Sequence, residues 1–451
     1  MPALPGLPAR PAPRPPRAAD DRFVNWAGTV TSRPASWREP TSDDEAASLV
    51  RAARARGGRV RVVGAGHSWS AVAAPDDVAV SLDRLAGLAS LDPERGLATV
   101  RAGTRLRDLN AALAARGFAL PIVGSIAAQS LAGATATGTH GSSLVHGNLS
   151  SLVRAMKLVD GRGELTTLGE GDPRLPGARL SLGALGVVTE LTVRVEPAFH
   201  LLCTVERAPV RAAARDLETI ARSAEYVKVW WLPHARHAYV YRYERTRLPP
   251  SPWPARVRWV EDHVVHAHVF PAVVALEARA PRLVPAVNWL VGPTLTHGPR
   301  VAPSALALST PMPFVHRETE AALPLARASE AFERIVSLLL GPGHHVNMPV
   351  ELRFVPADDA WLSPAHGADT CQIGVYAGGV PGIDETFAAL WRVLGALPAR
   401  PHWGKELSRG GHDAAALAAL YPRLGDFQAL RGELDPERVF SSPFLERALP
   451  P

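Results

Sequence analysis

Between Gly124 and Ser143 the chain runs for twenty residues, GSIAAQSLAGATATGTHGSS, with hardly a large or charged side chain. Such a run is rare in a packed domain, because its backbone is left open to close approach by a neighbouring element or by a ligand. A flat ring system and a diphosphate can lie on a surface of this kind, with Ser and Thr hydroxyls as further donors. A second small-residue loop, Val62-Val63-Gly64-Ala65-Gly66-His67-Ser68-Trp69-Ser70, follows a β-rich run directly. Glycines there let successive backbone N–H groups converge on a pyrophosphate without a Cβ in the way. It is neither a dinucleotide fingerprint, since Trp69 stands where the third glycine belongs, nor a Walker loop, since G-K-[S/T] is missing. Either segment alone is equally compatible with a turn or with tight packing; together they favour a large dinucleotide.

The rest of the composition bounds the class. In 451 residues, 49 Lys or Arg against 43 Asp or Glu leave a charge of +6, and 47% of the side chains are apolar. This describes a soluble chain of two domains or more, at about 100–200 residues each. Cys203 and Cys371 are the only cysteines, which excludes a disulfide framework and any cysteine-built metal centre and suits a reduced compartment. Lys157, Lys228 and Lys405 are the only lysines, so the basic balance is an arginine bias. No basic run is interleaved with aromatics, and no nucleic-acid partner is expected. The first sixteen residues hold seven prolines and no signal-peptide core, so residues 1–21 read as a disordered Pro/Arg-rich extension. The longest apolar candidate, Val264 to Leu276, is broken by His266, His268 and Pro271; no transmembrane segment is expected, and the cytoplasm follows as the expected location.

Strand and helix patterns alternate. Thr41 to Arg56 has a capped amphipathic helix pattern, RVRVV, VAVSLDRL and LATVRAG are strands, Thr104 to Gly117 is a helix ending on glycine, and KLVDGRGELTTL is a hairpin. Beyond residue 200, YVKVWWLP and AYVYRYER read as strands and LPPSPWP leads into a helical region to about 292. VELRFVPAD and CQIGVYAG form another strand pair, followed by a helix from Asp384 to Leu397, the turn RPHWGKELS and a short mixed end. This mixture favours α/β or α+β over an all-helical fold.

Four motifs in order, G-A-G-H-S, G-A-T-A-T-G-T-H-G-S, S-L-G-A-L-G-V-V-T (Ser181 to Thr189) and P-H-W-G-K (Pro401 to Lys405), resemble the aldonolactone oxidase and alditol oxidase family of flavoproteins over residues 22 to 445. The resemblance implies an α+β fold: a two-subdomain FAD-binding domain of the vanillyl-alcohol-oxidase type over 22–200, an α+β substrate or cap domain over 201–400, and a segment over 401–451 returning to the flavin. It implies FAD contacts from Val63, Gly64, Ala65, Gly66, His67, Ser68 and Trp69 in the first loop. Further contacts come from Ser130, Gly133, Ala134, Thr135, Thr137, Gly138, His140, Gly141 and Ser142 in the second, and from Val188. It also implies covalent attachment of the flavin through His67; imidazole is nucleophilic and largely neutral near pH 7. His140 reads as structural as much as ligand-binding.

Glu351 and Arg353 in V-E-L-R-F lie on one face of a strand, facing either a pocket or water. An acid–base pair at this spacing is ordinarily a solvated ion pair. The resemblance instead makes both residues, with Lys405 and Ser130, contacts for the substrate hydroxyls, and makes Glu351, Arg353 and Lys405 catalytic. The expected reaction is hydride transfer from a carbinol carbon to flavin N5, with oxygen as acceptor and hydrogen peroxide as product, and with positive charge at Arg353 and Lys405 holding the developing alkoxide. Val375 and Tyr376 stand where alditol oxidases are expected to place a threonine, and Glu225 to His234 resembles the sugar-lactone oxidases. A 1,4-lactone of the L-gulono, L-galactono or D-arabinono type is therefore the expected substrate. The alternatives are an alditol, a dehydrogenase feeding a quinone or cytochrome, and a flavin binder without activity. Glu261, His263, His266 and His268 do not align on one helix face, His344-His345 carries no assignment, and no metal is expected.

Overall fold

Ser42 starts the first helix: its hydroxyl accepts the Glu45 N–H at 3.1 Å, and three acids occupy the first turn, where the helix dipole favours them. In this computed structural model, which describes residues 16–252, 268–309, 314–407 and 412–450, that helix lies between the first two of three short parallel strands. These are β1 (Ser36–Arg38), α1 (Asp43–Ala55), β2 (Val60–Val63) and β3 (Val78–Ser81), with sheet order β1-β3-β2. An antiparallel sheet follows, from β4 (Leu88–Asp92), β5 (Leu97–Arg101), β6 (Val153–Val159), β7 (Leu165–Leu168) and β8 (Val187–Arg194), in the order β7-β6-β8-β5-β4. Between β5 and β6 run α2 (Leu106–Ala114) and a six-residue helix, α3 (Leu131–Ala136). The rest of the twenty-residue small-side-chain segment is irregular backbone, with Gly138 at φ +76°.

The second half is built on eight antiparallel strands: β9 (His200–Pro209), β10 (Tyr226–Trp231), β11 (His237–Thr246), β12 (Arg300–Pro303), β13 (Arg317–Pro324), β14 (Val350–Val355), β15 (Thr370–Ala377) and β16 (Arg400–Pro401). Their order is β12-β9-β11-β10-β14-β15-β13-β16. Period-two alternation sorts the side chains. Val227, Val229, Trp231, Val350, Leu352, Phe354, Cys371, Ile373 and Val375 belong to one apolar cluster with α4 (Ala328–Leu339) and α5 (Ile383–Leu394). In α4 the buried residues Ala328, Ala331, Phe332, Ile335, Val336 and Leu339 form the helical stripe that meets them. The intervening residues, among them Lys228, Glu351, Arg353 and Tyr376, point to the opposite face, and that face forms the site.

Several expectations change in detail. The cap of α1 is Ser42 rather than Thr41, β9 had no sequence signal, and the closing segment is helical over Ala414–Leu420, Leu424–Leu434 and Pro443–Ala448. Leu417, Phe427, Leu430 and Leu445 join the core of the first half, so the chain end packs back on it. Of the disordered extension expected over 1–21, residues 1–15 lie outside the described residues. From Pro16 the backbone is paired: the Val24 N–H donates to the Pro16 carbonyl at 2.8 Å, and Arg17 bridges Phe23. Glu261, His263 and His266 also lie outside the described residues, and His268 is exposed. Among the described residues no helix is long and apolar enough to cross a membrane.

Phe332 is 0% exposed at the centre of the cluster between α4 and the sheet. Phe332→Ala should lower unfolding free energy by about 3–5 kcal/mol, the usual loss for an aromatic core truncation. Urea denaturation read by tryptophan fluorescence measures it, and a loss under about 1 kcal/mol would contradict this packing.

Candidate active site

The loop after β2 is held on three sides. Gly66 takes φ +68°, and a Cβ at Gly64 would stand 2.5 Å from the Ser130 hydroxyl, which itself caps α3 by accepting the Gly133 N–H at 3.4 Å. Only glycine lets the two small-residue segments touch here. On the outer side the Trp26 N–H donates to the Gly66 carbonyl at 2.7 Å, and the Trp26 ring stacks on His67 at 5.4 Å. On the third side sits the P-H-W-G-K turn: the Trp69 N–H donates to the Gly404 carbonyl at 2.7 Å and the Ser70 hydroxyl to the Trp403 carbonyl at 2.6 Å. Burial, with the Arg105 and Lys405 charges, pushes the His67 imidazole down to a pKa of about 4, so it is neutral at pH 7. Its Nε2 is buried and has no hydrogen-bond partner among the described residues.

Two cavities share His67, Ser68, Gln129 and Thr137 as walls. The larger, about 900 Å³, is lined by Val63, Gly64, Ala65, Gly66, Ser130, Gly133 and Val188, with the backbone of the Ser181-Leu182-Gly183 turn on its far side. Leu182 is held at φ +54° there, and the buried Arg61 guanidinium donates to its carbonyl at 2.5 Å. A glycine-floored cleft with an unclaimed imidazole nitrogen at its inner end has the donors and the close approach that a dinucleotide cofactor needs. The residues present fit FAD.

The smaller cavity, about 630 Å³, is where the polar face of the large sheet meets the glycine-rich segment. Arg353 projects from β14 and ties the two together. Its guanidinium donates to Glu351 Oε2 at 2.5 Å, to the Ser125 hydroxyl at 2.6 Å and to the His140 carbonyl at 3.4 Å. Glu351, 2% exposed, sits behind it and also accepts from the Tyr376 hydroxyl at 2.7 Å. Burial would raise the Glu351 pKa, but the Arg353 and Lys228 charges bring it down to about 2. Lys228, whose Nζ lies 4.6 Å from the Trp230 ring centre, is pushed by burial to about 8. Lys405 reaches in from the P-H-W-G-K turn, 4.4 Å over the Trp69 ring, and pairs with Glu318 of β13. Burial, opposed by Lys405 and reinforced by Glu320, pushes the Glu318 carboxyl up to about 7.

His140, Glu320 and His402 bring three donor atoms within 4.8 Å of one another, all buried. Hydrogen bonds already claim their ring nitrogens. His140 Nδ1 faces the Gly141 carbonyl at 2.9 Å and Nε2 faces Glu320 Oε1 at 2.8 Å. Burial opposes ionisation of Glu320, yet the interaction with His140 holds it well below the usual carboxylate range. His402 is neutral: Nδ1 accepts the Gly404 N–H at 3.1 Å, the Gly138 backbone takes the other nitrogen, and burial drives its pKa to about 3. The trio is a hydrogen-bonded network.

The sequence candidates thus divide. His67, Ser68, Trp69, Thr137, His140, Arg353 and Lys405 line the smaller cavity together, and Glu351 supports it from behind Arg353. Ser130, expected on the substrate side as well, lines only the larger cleft. Ala134, Thr135 and Ser142 are buried and line neither cavity; the Ser142 hydroxyl instead bridges Val227 and the Phe354 N–H. Gly138 and Gly141 also stay behind the wall, Gly141 packed where a Cβ would strike Ile122. Ser125, Gln129, His316, Glu318, Glu320, Tyr376 and His402 are further lining residues. The signal for Glu318 and Glu320 was present: R-E-T-E-A-A-L-P has the same i,i+2 spacing that singled out Glu351 and Arg353.

Residues 34–169 match an FAD-binding domain family, and residues 191–448 match the D-arabinono-1,4-lactone oxidase family. The chain is 33% identical over 429 residues to the L-gulono-1,4-lactone dehydrogenase of Mycobacterium tuberculosis, covering 95% of this chain and 99% of that one. It is 34% identical over 438 residues to an alditol oxidase of a Streptomyces species, covering 94% and 98%. Among solved structures, cholesterol oxidase from B. sterolicum superposes with a TM-score of 0.80 at 18% identity over 98% of this chain and 100% of that one, which gives the fold as the α+β vanillyl-alcohol-oxidase type. With an FAD-binding first half and a second half matched over most of its length, this chain belongs to the D-arabinono-1,4-lactone oxidase family of FAD-dependent oxidoreductases.

Proposed function

We propose that the protein oxidises a carbinol of a sugar 1,4-lactone of the gulono, galactono or arabinono type, in the cytoplasm, with FAD held covalently by His67 and oxygen reduced to hydrogen peroxide. In this reading residues 22–200 bind the cofactor, 201–400 cap it, and 401–451 return to it. The observation that carries the reading is the neutral His67 ring, set where both cavities meet, with a buried nitrogen that has no partner among the described residues. FAD, when bound, supplies the two-electron oxidant. Arg353, on the sheet, and Lys405, beside the Trp69 ring of the loop, both line the smaller cavity and bind and orient the substrate hydroxyls; their charge stabilises the alkoxide that develops on the reacting oxygen. Glu351 fixes the Arg353 fork by accepting one of its N–H groups. The dehydrogenase among the relatives favours a second reading of the acceptor alone, in which a quinone or cytochrome takes the electrons.

Three experiments test this. On acid precipitation the yellow colour should stay with the protein pellet, and His67→Ala should release it to the supernatant; free flavin from the wild type would remove the covalent bond from the reading. With a 1,4-lactone, aerobic turnover should yield peroxide, and its absence beside normal anaerobic bleaching transfers the reading to the dehydrogenase. Lys405→Met should slow anaerobic flavin bleaching about 10²–10³-fold, the usual cost of one lost charge-stabilising donor. Unaltered bleaching in stopped-flow absorbance would count against the role given to Lys405.

A further inference from the structure

Three carboxylates surround the smaller cavity, and their placement and partners separate them. Glu351 sits behind Arg353 and is absent from the lining: its Oε2 accepts from Arg353 and Tyr376, and its Oε1, although also without a partner among the described residues, is not on the cavity wall. Glu320 lines the cavity but is claimed by the His140 ring. Glu318 lines it too, is 1% exposed, and has one oxygen on Lys405, while Oε1 is buried with no partner among the described residues. That free oxygen borders Gly374: a Cβ there would lie 3.3 Å from Glu318 Oε1 and 3.5 Å from Glu320 Oε2. Gly374 is flanked on the same strand face by Gln372 and Tyr376, so it is the gap in that wall.

We propose that Glu318 is the proton acceptor of the reaction, taking the substrate hydroxyl proton on Oε1 while Lys405 holds Oε2. This rests on reading the smaller cavity as the place of carbinol oxidation. The O–H bond breaks and its proton joins Glu318. The O–H electron pair becomes the second carbon–oxygen bond, and the carbinol hydrogen leaves with its own pair as hydride for the flavin. The proton passes to water when the ketone or aldehyde product departs. Basicity separates the carboxylates in the same order as geometry: the Glu351 pKa is held down to about 2 by Arg353 and Lys228 and that of Glu320 well below the usual range by the interaction with His140, whereas burial keeps that of Glu318 at about 7. The charged and titratable groups facing it are Lys405 from the turn, Glu320 on its own strand, Arg353 from β14 and Tyr376 from β15. A base poised near the working pH is the efficient choice for proton abstraction.

The test compares wild type, Glu318→Gln and Glu318→Asp as flavin-loaded enzymes. Glu318→Gln should bind flavin and a lactone lacking the oxidised hydroxyl as the wild type does, yet its anaerobic bleaching should slow by about 10²–10⁴-fold, the range for a lost general base. The wild-type bleaching rate should fall as pH drops through neutrality, and that limb should vanish in Glu318→Gln and persist, at a lower rate, in Glu318→Asp. Independently of turnover, infrared difference spectra should show a carboxyl band titrating near neutral pH in the wild type and missing in Glu318→Gln. Wild-type-rate bleaching by Glu318→Gln, or a wild-type rate flat across neutral pH, overturns the proposal alone. A wild-type flavin that no sugar lactone or polyol bleaches overturns the functional reading and this proposal together.

Discussion

The polar face of the eight-stranded sheet must bury charge, and everything around the site follows from how that charge is paired. Lys228, Glu318, Glu320, Glu351 and Arg353 all rise from one face of adjacent strands and are buried or nearly so. An unpaired charge in such a place costs several kcal/mol, and breaking one partner of a buried pair typically costs about 3–5 kcal/mol. The sheet pairs Glu351 with Arg353 internally, but Glu318 and Glu320 find their partners on the returning chain and on the other half of the molecule, as Lys405 and His140. Pairing of these buried groups therefore fixes the docking of the glycine-rich segment and of the P-H-W-G-K turn against the sheet. Lys228, Arg353 and Lys405 balance the three carboxylates when all are ionised, and of the three cations Arg353 and Lys405 stand on the cavity wall. An anionic transition state is the species such a wall stabilises.

The turn and the loop are then mutually dependent. Trp69 offers its N–H to the Gly404 carbonyl and its indole N–H to the His316 carbonyl, while its ring lies under the Lys405 ammonium. Trp403, 0% exposed, donates to the Leu362 carbonyl at 2.7 Å and packs 5.0 Å from Tyr421. Two tryptophans thus clamp the strip that carries Lys405, which is how a turn near the chain end can hold a charge in a defined place without regular structure of its own.

What the sequence revealed follows the same physics. Period-two alternation put Glu351 and Arg353 on one face correctly, and the small-residue segments marked the close approach that Gly64 and Ser130 make. Alternation could not say whether that face met water or protein, because the covering elements are distant in sequence: Arg353 reaches Ser125 and His140 more than two hundred residues away. The same gap hid Glu318 and Glu320, whose partners Lys405 and His140 lie 87 and 180 residues away, and left His140 with a structural reading although its ring binds a buried carboxylate. Ala134, Thr135 and Ser142 line neither cavity for a local reason. A short helix and a turn rotate them into the core, and a motif read as one continuous surface ignores that rotation.

The same alternation sharpens the one departure from the alditol oxidase pattern. Val375 is 0% exposed beneath the helices, so its identity has no bearing on the cavity. Tyr376 is the neighbour that faces inward, and its hydroxyl occupies Glu351 Oε2 behind Arg353. A buried carboxylate oxygen so occupied offers less to an open-chain polyol, whose many hydroxyls each need a partner on leaving water. A ring lactone brings fewer hydroxyls and a flatter outline, and demands less of that wall. Tyr376 thus supports the lactone reading through what it subtracts from the site: it occupies one oxygen of Glu351 and leaves Glu318, Lys405 and Arg353 as the charged groups on the cavity wall that His67 shares.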